Sequence, residues 1–342
     1  MPAPLLIADV PWLLYRAFFS LPRSIVDGSG RPVNALLGTV NAFLTVLSGR
    51  PARAVVACFG AEQAAYRVRL YPPYHAHREP MEPELRAQWG LAPALLESLG
   101  WTVCDAGELE ADDAMFSHAR GEAEAGGRAL LLTGDRDLFG AVDERILIVE
   151  LAKGRVAGEV GPAQVRERYG IGPELVPDFI ALRGDPSDGL PGAPGVGAKT
   201  AAELLSRHGS LEAVLEAAGK PVRAAQQMRP RIADALRENA GQLRVFKQIA
   251  TLQRIPVERP ADRATDYATG ARAARELGME RLAARLKEKA GQSPAGHGSL
   301  EAARTHQNAG PDAPKAGRSP AGQGSLEGSP PSHKGRPDAG PS

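Results

Sequence analysis

At 342 residues, with 43% hydrophobic side chains, the chain has room for two modest domains with ordinary buried cores and reads as globular. Lys and Arg number 41 against 40 Asp and Glu, which leaves +1 at pH 7, so local clustering rather than the total decides what the surface attracts. Cys58 and Cys104 form no CxxC or zinc spacing and fit reduced, buried thiols; the N-terminal apolar stretch is broken by Asp9 and has no basic leader, and no apolar run is long enough for a bilayer, so a cytoplasmic protein with no membrane partner is expected.

The first half alternates short apolar runs with helical patterns. Runs at 5–8, 54–59, 102–104, 129–132 and 146–149 read as strands, and 33–47, 85–99 and 111–124 read as helices long enough to be crossovers. That alternation predicts an α/β fold over 1–160: a mainly parallel central sheet flanked by helices, with ligands beyond the carboxyl ends of the strands. Asp9 follows the first run and Asp135 the fourth, so both fall at that edge. From 161 to 290 helices dominate, with Gly and Pro marking short turns. The segment 291–342 holds 18 Gly or Pro, has no aromatic residue, and cannot bury enough surface to offset its ordering entropy; a disordered tail is expected there. Its near repeat, GQSPAGHGSLE and GRSPAGQGSLE, reads as tail duplication, since neither copy has a hydrophobic pattern to stack.

Eight carboxylates stand in four clusters: Asp9; Glu110, Asp112 and Asp113; Asp135 and Asp137; Asp185 and Asp188. Carboxylates that converge repel one another and need a cation between them, and oxygen donors without Cys or His point to Mg²⁺ or Mn²⁺. In ELEADD, Glu110 and Asp113 are three apart on one helix face, with Asp112 beside them where the positive end of the helix tolerates charge; acidic capping explains this motif equally well. Asp135 and Asp137 alternate by two in TGDRDLF, the spacing that sets both on one side of an extended chain, and a plain Asp turn is the alternative. In GDPSDGLPGAPGVGAKTA, the glycines Gly192, Gly195 and Gly197 let backbone approach a ligand before Lys199 and Thr200 open a helix, a hairpin suited to a DNA phosphate. A nucleotide P-loop fails on spacing, because Ala198 stands where the glycine before the lysine is required. Segments 63–78 and 220–247 are basic and are candidate phosphate-facing patches or solvated helix faces.

Taken jointly, LLYRAFF, YRVRLYPPYHAHR, ELEADD, TGDRDL and the glycine-rich segment, spread over residues 4–255, resemble the 5′ nuclease domain of bacterial DNA polymerase I and the wider flap endonuclease family. Nothing after residue 290 resembles a proofreading or polymerase domain, which suggests a stand-alone paralogue. The resemblance implies a PIN-like core, a helical domain with a helix-hairpin-helix motif, and two divalent-ion sites. Asp9, Glu110, Asp112 and Asp113 would form one site, and Asp135, Asp137, Asp185 and Asp188 the other. It implies phosphodiester hydrolysis near the 5′ ends, nicks or flaps of DNA, with RNA–DNA hybrids as a further candidate substrate. Arg67, Arg78 and His75 match the gateway for the 5′ strand. Tyr15, Tyr66 and Tyr71 are candidates to stack on displaced bases, and core packing serves each of them as well. Gly192, Gly195, Val196, Gly197, Lys199 and Thr200 would hold the duplex, in the family sometimes through K⁺. A monomer is expected.

Two departures stand out. Where the family has an acid after the second strand this chain has Gly60, with Glu62 nearby as a candidate substitute; and the gateway lysine is replaced by His75. The residues thus support a metal-dependent 5′–3′ exonuclease or flap endonuclease. The alternative is a catalytically weakened, structure-specific DNA-binding protein of the same fold, with Gly60→Asp expected to raise activity.

Overall fold

The computed structural model describes residues 2–220 and 228–292. Its strands are β1 (Leu5–Asp9), β2 (Ala54–Phe59), β3 (Thr102–Asp105), β4 (Ala129–Leu132), β5 (Ile146–Ala152) and β6 (Arg155–Val160). They form one sheet in the order β3-β2-β1-β4-β5-β6. The first five are parallel and β6 returns antiparallel beside β5. β1, β2 and β4 are buried along their whole length, which is why they read as unbroken apolar runs rather than alternating ones. Strand order reverses between β1 and β4, so a crevice opens at their carboxyl ends, where Asp9 and the chain after Leu132 lie.

The β5–β6 hairpin was not legible in the sequence, because RVAGEV offers too few large apolar residues to read as a strand. Its two-residue turn places Lys153 and Gly154 at φ 50° and 74°, the left-handed pair that matches the twist of a hairpin.

The helices of the first half are α1 (Val10–Ser20), α2 (Asn34–Gly49), α3 (Ala65–Leu70), α4 (Pro83–Ser98) and α5 (Ala111–Glu124). α1, α2 and α4 cover the face presenting Leu6, Ala8, Val55, Ala57 and Leu132. α5 covers the other, where Leu5, Ile7, Val56, Cys58 and Leu131 lie. The helices α6 (Pro162–Tyr169), α7 (Val176–Arg183), α8 (Ala198–His208), α9 (Leu211–Gly219), α10 (Pro230–Glu238) and α11 (Ala240–Ala250) extend the core on the α5 side, through Phe179, Leu205, Leu236 and Phe246.

The last two helices, α12 (Tyr267–Glu276) and α13 (Glu280–Gln292), cross to the opposite face. Ala274, Leu282 and Leu286 join Phe43, Leu96, Leu99 and Trp101 in the α2–α4 core. Burial of each leucine contributes about 1.5–3 kcal/mol. Gly270 permits the approach, since a Cβ there would lie 2.3 Å from a Leu99 methyl. Among the described residues no helix is long and apolar enough to cross a membrane. The tail expected at 291–342 lies, apart from its first two residues, outside the described residues.

Candidate active site

The crevice is built by strand ends. Asp9 closes β1 and caps α1: its Oδ1 accepts the Trp12 N–H at 2.9 Å, and its Oδ2 accepts the Thr133 hydroxyl at 2.9 Å. Thr133, buried at the end of β4, thereby ties the two strands across the point where their order reverses. The same hydroxyl accepts the Asp135 N–H at 3.0 Å, and Asp135 Oδ1 accepts the Asp137 N–H at 2.9 Å, so a local turn orients both aspartates. Gly134 is required beside them, because a Cβ would stand 2.1 Å from the Trp12 indole.

One cavity of roughly 850 Å³ collects Asp9, Asp112, Asp135, Asp137 and Asp188, with Glu110 in its wall. Asp185 stands behind it, buried, with its Oδ2 accepting from Arg183 at 2.9 Å and its Oδ1 from the Ser187 N–H at 2.9 Å. Desolvation raises the Asp9 carboxyl to about 7, the Trp12 hydrogen bond opposing and the charge of Asp135 adding. Desolvation likewise holds Asp112 well above the carboxylate range, with Asp135 and Asp9 adding repulsion. Asp137 is raised in the same way, by its surroundings first and then by Asp135, Asp188 and Asp185. Asp135 shifts upward for the same first cause, the charges of Asp188 and Asp185 contributing.

The other two acids of ELEADD have a different environment. Glu110 accepts the Ala64 N–H at 2.8 Å and the Tyr74 hydroxyl at 3.1 Å, and it pairs with Arg67 at 2.8 Å. Asp113 is 0% exposed and accepts from Arg67 at 3.0 Å, from the Gln253 N–H at 2.7 Å and from the Glu110 N–H at 3.3 Å. Arg67, expected at a gateway, is 3% exposed and also donates from Nε to the Ile249 carbonyl at 3.0 Å. Burial works against the Arg67 charge, and the Glu110 and Asp113 carboxylates more than restore it.

His75 is 2% exposed, at φ 54°, with Nε2 2.8 Å from Asp188 Oδ1 and its ring stacked on Tyr74. Arg78 is exposed at the cavity mouth, 3.5 Å from Asp188. Tyr15 lines the cavity and stacks on Phe19, which is 65% exposed. Tyr66 lies under the Arg67 guanidinium, away from the cavity lining, and Tyr71 packs edge-on against Phe246 in the core. Tyr74, Thr133 and Trp12 were missed from sequence. Tyr74 stands inside YRVRLYPPYHAHR, but nothing in its spacing marks a hydroxyl aimed at Glu110.

The glycine hairpin joins α7 to α8 and is not brought to the cavity. Gly192 sits where a Cβ would meet the Gly184 nitrogen at 2.3 Å, which closes the base of the hairpin. Val196 is buried as its anchor, while Gly195, Gly197 and Lys199 are exposed and Thr200 half-buried at the start of α8. In the basic segment 220–247, Arg237 pairs with Asp234, Arg244 with Glu212 and Lys247 with Asp178, so much of that charge is neutralised locally.

In this chain the backbone after β2 leaves no open space for a side chain at Gly60. A Cβ would lie 2.5 Å from the Leu109 carbonyl oxygen and 2.6 Å from the Ala111 nitrogen, because the loop that carries Glu110 closes against the end of β2. The expected gain from Gly60→Asp therefore has no space in which to arise. Glu62 is exposed at the cavity rim and pairs with Arg86 at 3.7 Å.

Among the described residues no three Asp, Glu, His or Cys side chains stand ready as a closed metal-binding group. The donor set nonetheless fits hard divalent ions. Asp9, Asp112 and Asp135 repel one another across one space and form no ion pair among the described residues, and Mg²⁺ retains several waters rather than demanding an all-protein cage.

Residues 4–170 match the 5′-3′ exonuclease N-terminal resolvase-like domain, and residues 171–267 the 5′-3′ exonuclease C-terminal SAM fold. A 5′-3′ exonuclease of Mycobacterium tuberculosis is 34% identical over 314 residues, covering 84% of this chain and 98% of that one. DNA polymerase I of Pseudomonas aeruginosa is 35% identical over 256 residues, 73% of this chain but 27% of its own length. Among solved structures, a bacteriophage T5 flap endonuclease complex with DNA and metal ions superposes with a TM-score of 0.59 at 16% identity, covering 84% of this chain and 99% of that one. The catalytic core of Rad2 with a DNA substrate gives a TM-score of 0.56 at 13% identity over 84% and 92%; such identities show a shared fold. With both halves matched in order and a full-length relative in hand, the chain belongs to the 5′-3′ exonuclease family, and its function is that of a 5′ nuclease.

Proposed function

We propose that this nuclease depends on divalent cations, Mg²⁺ or Mn²⁺, and hydrolyses phosphodiester bonds near DNA 5′ ends, nicks or flaps. One observation carries the proposal: Asp9, Asp112, Asp135 and Asp137 face one cavity, raise one another's proton affinity, and have no cationic side chain paired with them among the described residues. Divalent cations supply Lewis acidity and charge neutralisation at a scissile phosphate. Asp9 and Asp112 would hold one and Asp135, Asp137 and Asp188 the other, while Asp185 adds charge from behind. Glu110 and Asp113 fix the start of α5, and through it Asp112, by their bonds to Arg67, Tyr74 and Gln253. Arg78, exposed at the mouth beside Asp188, would meet the incoming strand, and Tyr15 with Phe19 offers a stacking surface.

The hairpin would hold the duplex behind the cut through exposed backbone at Gly195 and Gly197 and through Lys199, with K⁺ a candidate ion there and the segment 161–290 acting as the DNA-binding part. The protein would act as a cytoplasmic monomer. The test is cleavage of a 5′-flapped or nicked duplex with Mn²⁺, beside the double variant Asp135→Ala, Asp185→Ala. Wild-type cleavage lost in the variant and abolished by a chelator supports the proposal. Equal residual cleavage by both would leave a DNA-binding protein of the same fold.

A further inference from the structure

Cys58 and Cys104 stand directly opposite each other on β2 and β3, and Cys58 is in turn opposite Asp9 on β1. In-register residues of parallel strands project from the same face, so the two thiols and the Asp9 carboxylate form one row beneath α5. Neighbouring strands are about 4.7–4.9 Å apart, within the Cα separation of about 4.4–6.8 Å that a disulfide spans. Cys58 is buried and Cys104 half-buried, so Cys104 is the more accessible of the two. His118, 5% exposed on α5, lies against Cys104, and neither of its ring nitrogens has a hydrogen-bond partner of full geometry. The hydrogen bond from Cys58, then His118, draws the Cys104 thiol down to about 5, with burial opposing; burial pushes Cys58 up. A half-buried outer sulfur in register with a buried inner one is the arrangement of a reacting and a resolving cysteine. The hydrolytic site uses neither.

We propose that Cys104 and Cys58 are an oxidation site for small peroxides, and that closing them into a disulfide restrains the adjacent acid cavity. In the first step the Cys104 thiol gives up its proton and its sulfur attacks one peroxide oxygen; the S–O bond forms, the O–O bond breaks, and the departing hydroxide takes that proton to leave as water. In the second, Cys58 sulfur attacks the Cys104 sulfenic acid; the S–S bond forms, the S–O bond breaks, and the hydroxide leaves as water with the proton of the Cys58 thiol. Two thiols are oxidised and one hydrogen peroxide is reduced to two waters. Drawing Cys58 toward β3 disturbs a close-packed row that ends in Asp9, and Cys58 itself lies two residues before Gly60 and its tight contact with the Glu110 loop.

The effect on cleavage rests on the proposed nuclease function; the bond itself does not. The full chain is treated with hydrogen peroxide at low molar excess, and free thiols are then counted by alkylation after denaturation, with peptide mapping. The expected result is one intramolecular Cys58–Cys104 bond, reversed by dithiothreitol. Cys58→Ala should stop at a Cys104 sulfenic acid trapped by dimedone, and Cys104→Ala should stay unreacted; melting curves of both check that they fold. Two intact thiols, or cross-links between molecules alone, would overturn the site. Oxidised protein should bind Mn²⁺ more weakly by calorimetry and cleave a flapped duplex up to about a hundredfold more slowly, the scale on which a misplacement near 1 Å acts. A mapped disulfide with unchanged Mn²⁺ affinity would overturn the restraint on the cavity, and no cleavage in either redox state, with the disulfide present, would instead count against the nuclease function.

Discussion

Asp112 and Asp113 are neighbours in the chain at the start of α5, yet they belong to different machines. Asp112 opens into a cavity shared with Asp9 and Asp135; desolvation first, then the charges of Asp135 and Asp9, raise its proton affinity, and no ion pair is made to it among the described residues. Asp113 faces the interior and is fully engaged by Arg67 and two backbone N–H groups, one of them from Gln253 after α11. Two acids one residue apart on a helix point about 100° apart, so a doublet can serve a ligand with one side chain and the fold with the other. Charge left uncompensated marks the part meant for a cation. Charge compensated internally marks the part that holds the scaffold, here joining the α/β core to the helices that follow.

That contrast breaks most visibly at Arg67. Removing one partner of a buried ion pair costs about 3–5 kcal/mol, so Arg67→Met should lower unfolding stability by that amount in denaturant melts; a change under 1 kcal/mol would mean that Glu110 and Asp113 find other partners. Asp112→Asn should do the reverse. Without divalent ions it should melt no lower than wild type, because repulsion is relieved, while cleavage falls by about a hundredfold or more, which equals roughly 2.7 kcal/mol of lost transition-state stabilisation. Loss of both stability and activity would place Asp112 with the scaffold instead.

Gly60 sharpens the comparison, since it lies against the loop that carries both acids. Gly60→Ala should cost about 1–3 kcal/mol through overpacking, and Gly60→Asp should not raise cleavage. A gain in activity from the aspartate would show that the loop gives way. The smallest effect is on pH. The folded Asp9 carboxyl titrates near 7, above its unfolded value, so the stability it contributes is complete below about pH 4 and is lost as pH rises through about 7. Metal-free protein should therefore melt progressively lower between those limits, and saturating Mg²⁺ should flatten the curve; a metal-free melting temperature that rises over the interval would contradict the uncompensated state of the cavity.

Much of this was open to inspection in the chain. The runs at 54–59 and 129–132 coincide with β2 and β4 because fully buried parallel strands need continuous apolar sequence, and 111–124 is α5 because its acids mark a helix start. The hairpin strand β6 was hidden because an edge strand exposed over its first half needs few large apolar residues. Helices α12 and α13 read as part of a separate helical segment, since their amphipathic pattern shows that one face is buried but not against what.

The acid-rich character of the site, the oxygen-only donors and the order of the motifs were set by residue type and spacing, properties that are local to the chain. Which acids share the cavity, which are spent on Arg67, and why Gly60 leaves no room for a side chain were decided by packing in three dimensions. Desolvation, ion pairing and steric contact depend on residues brought from 46 or 140 positions away, as Arg67 and Gln253 are brought to Asp113, and no local pattern encodes those meetings.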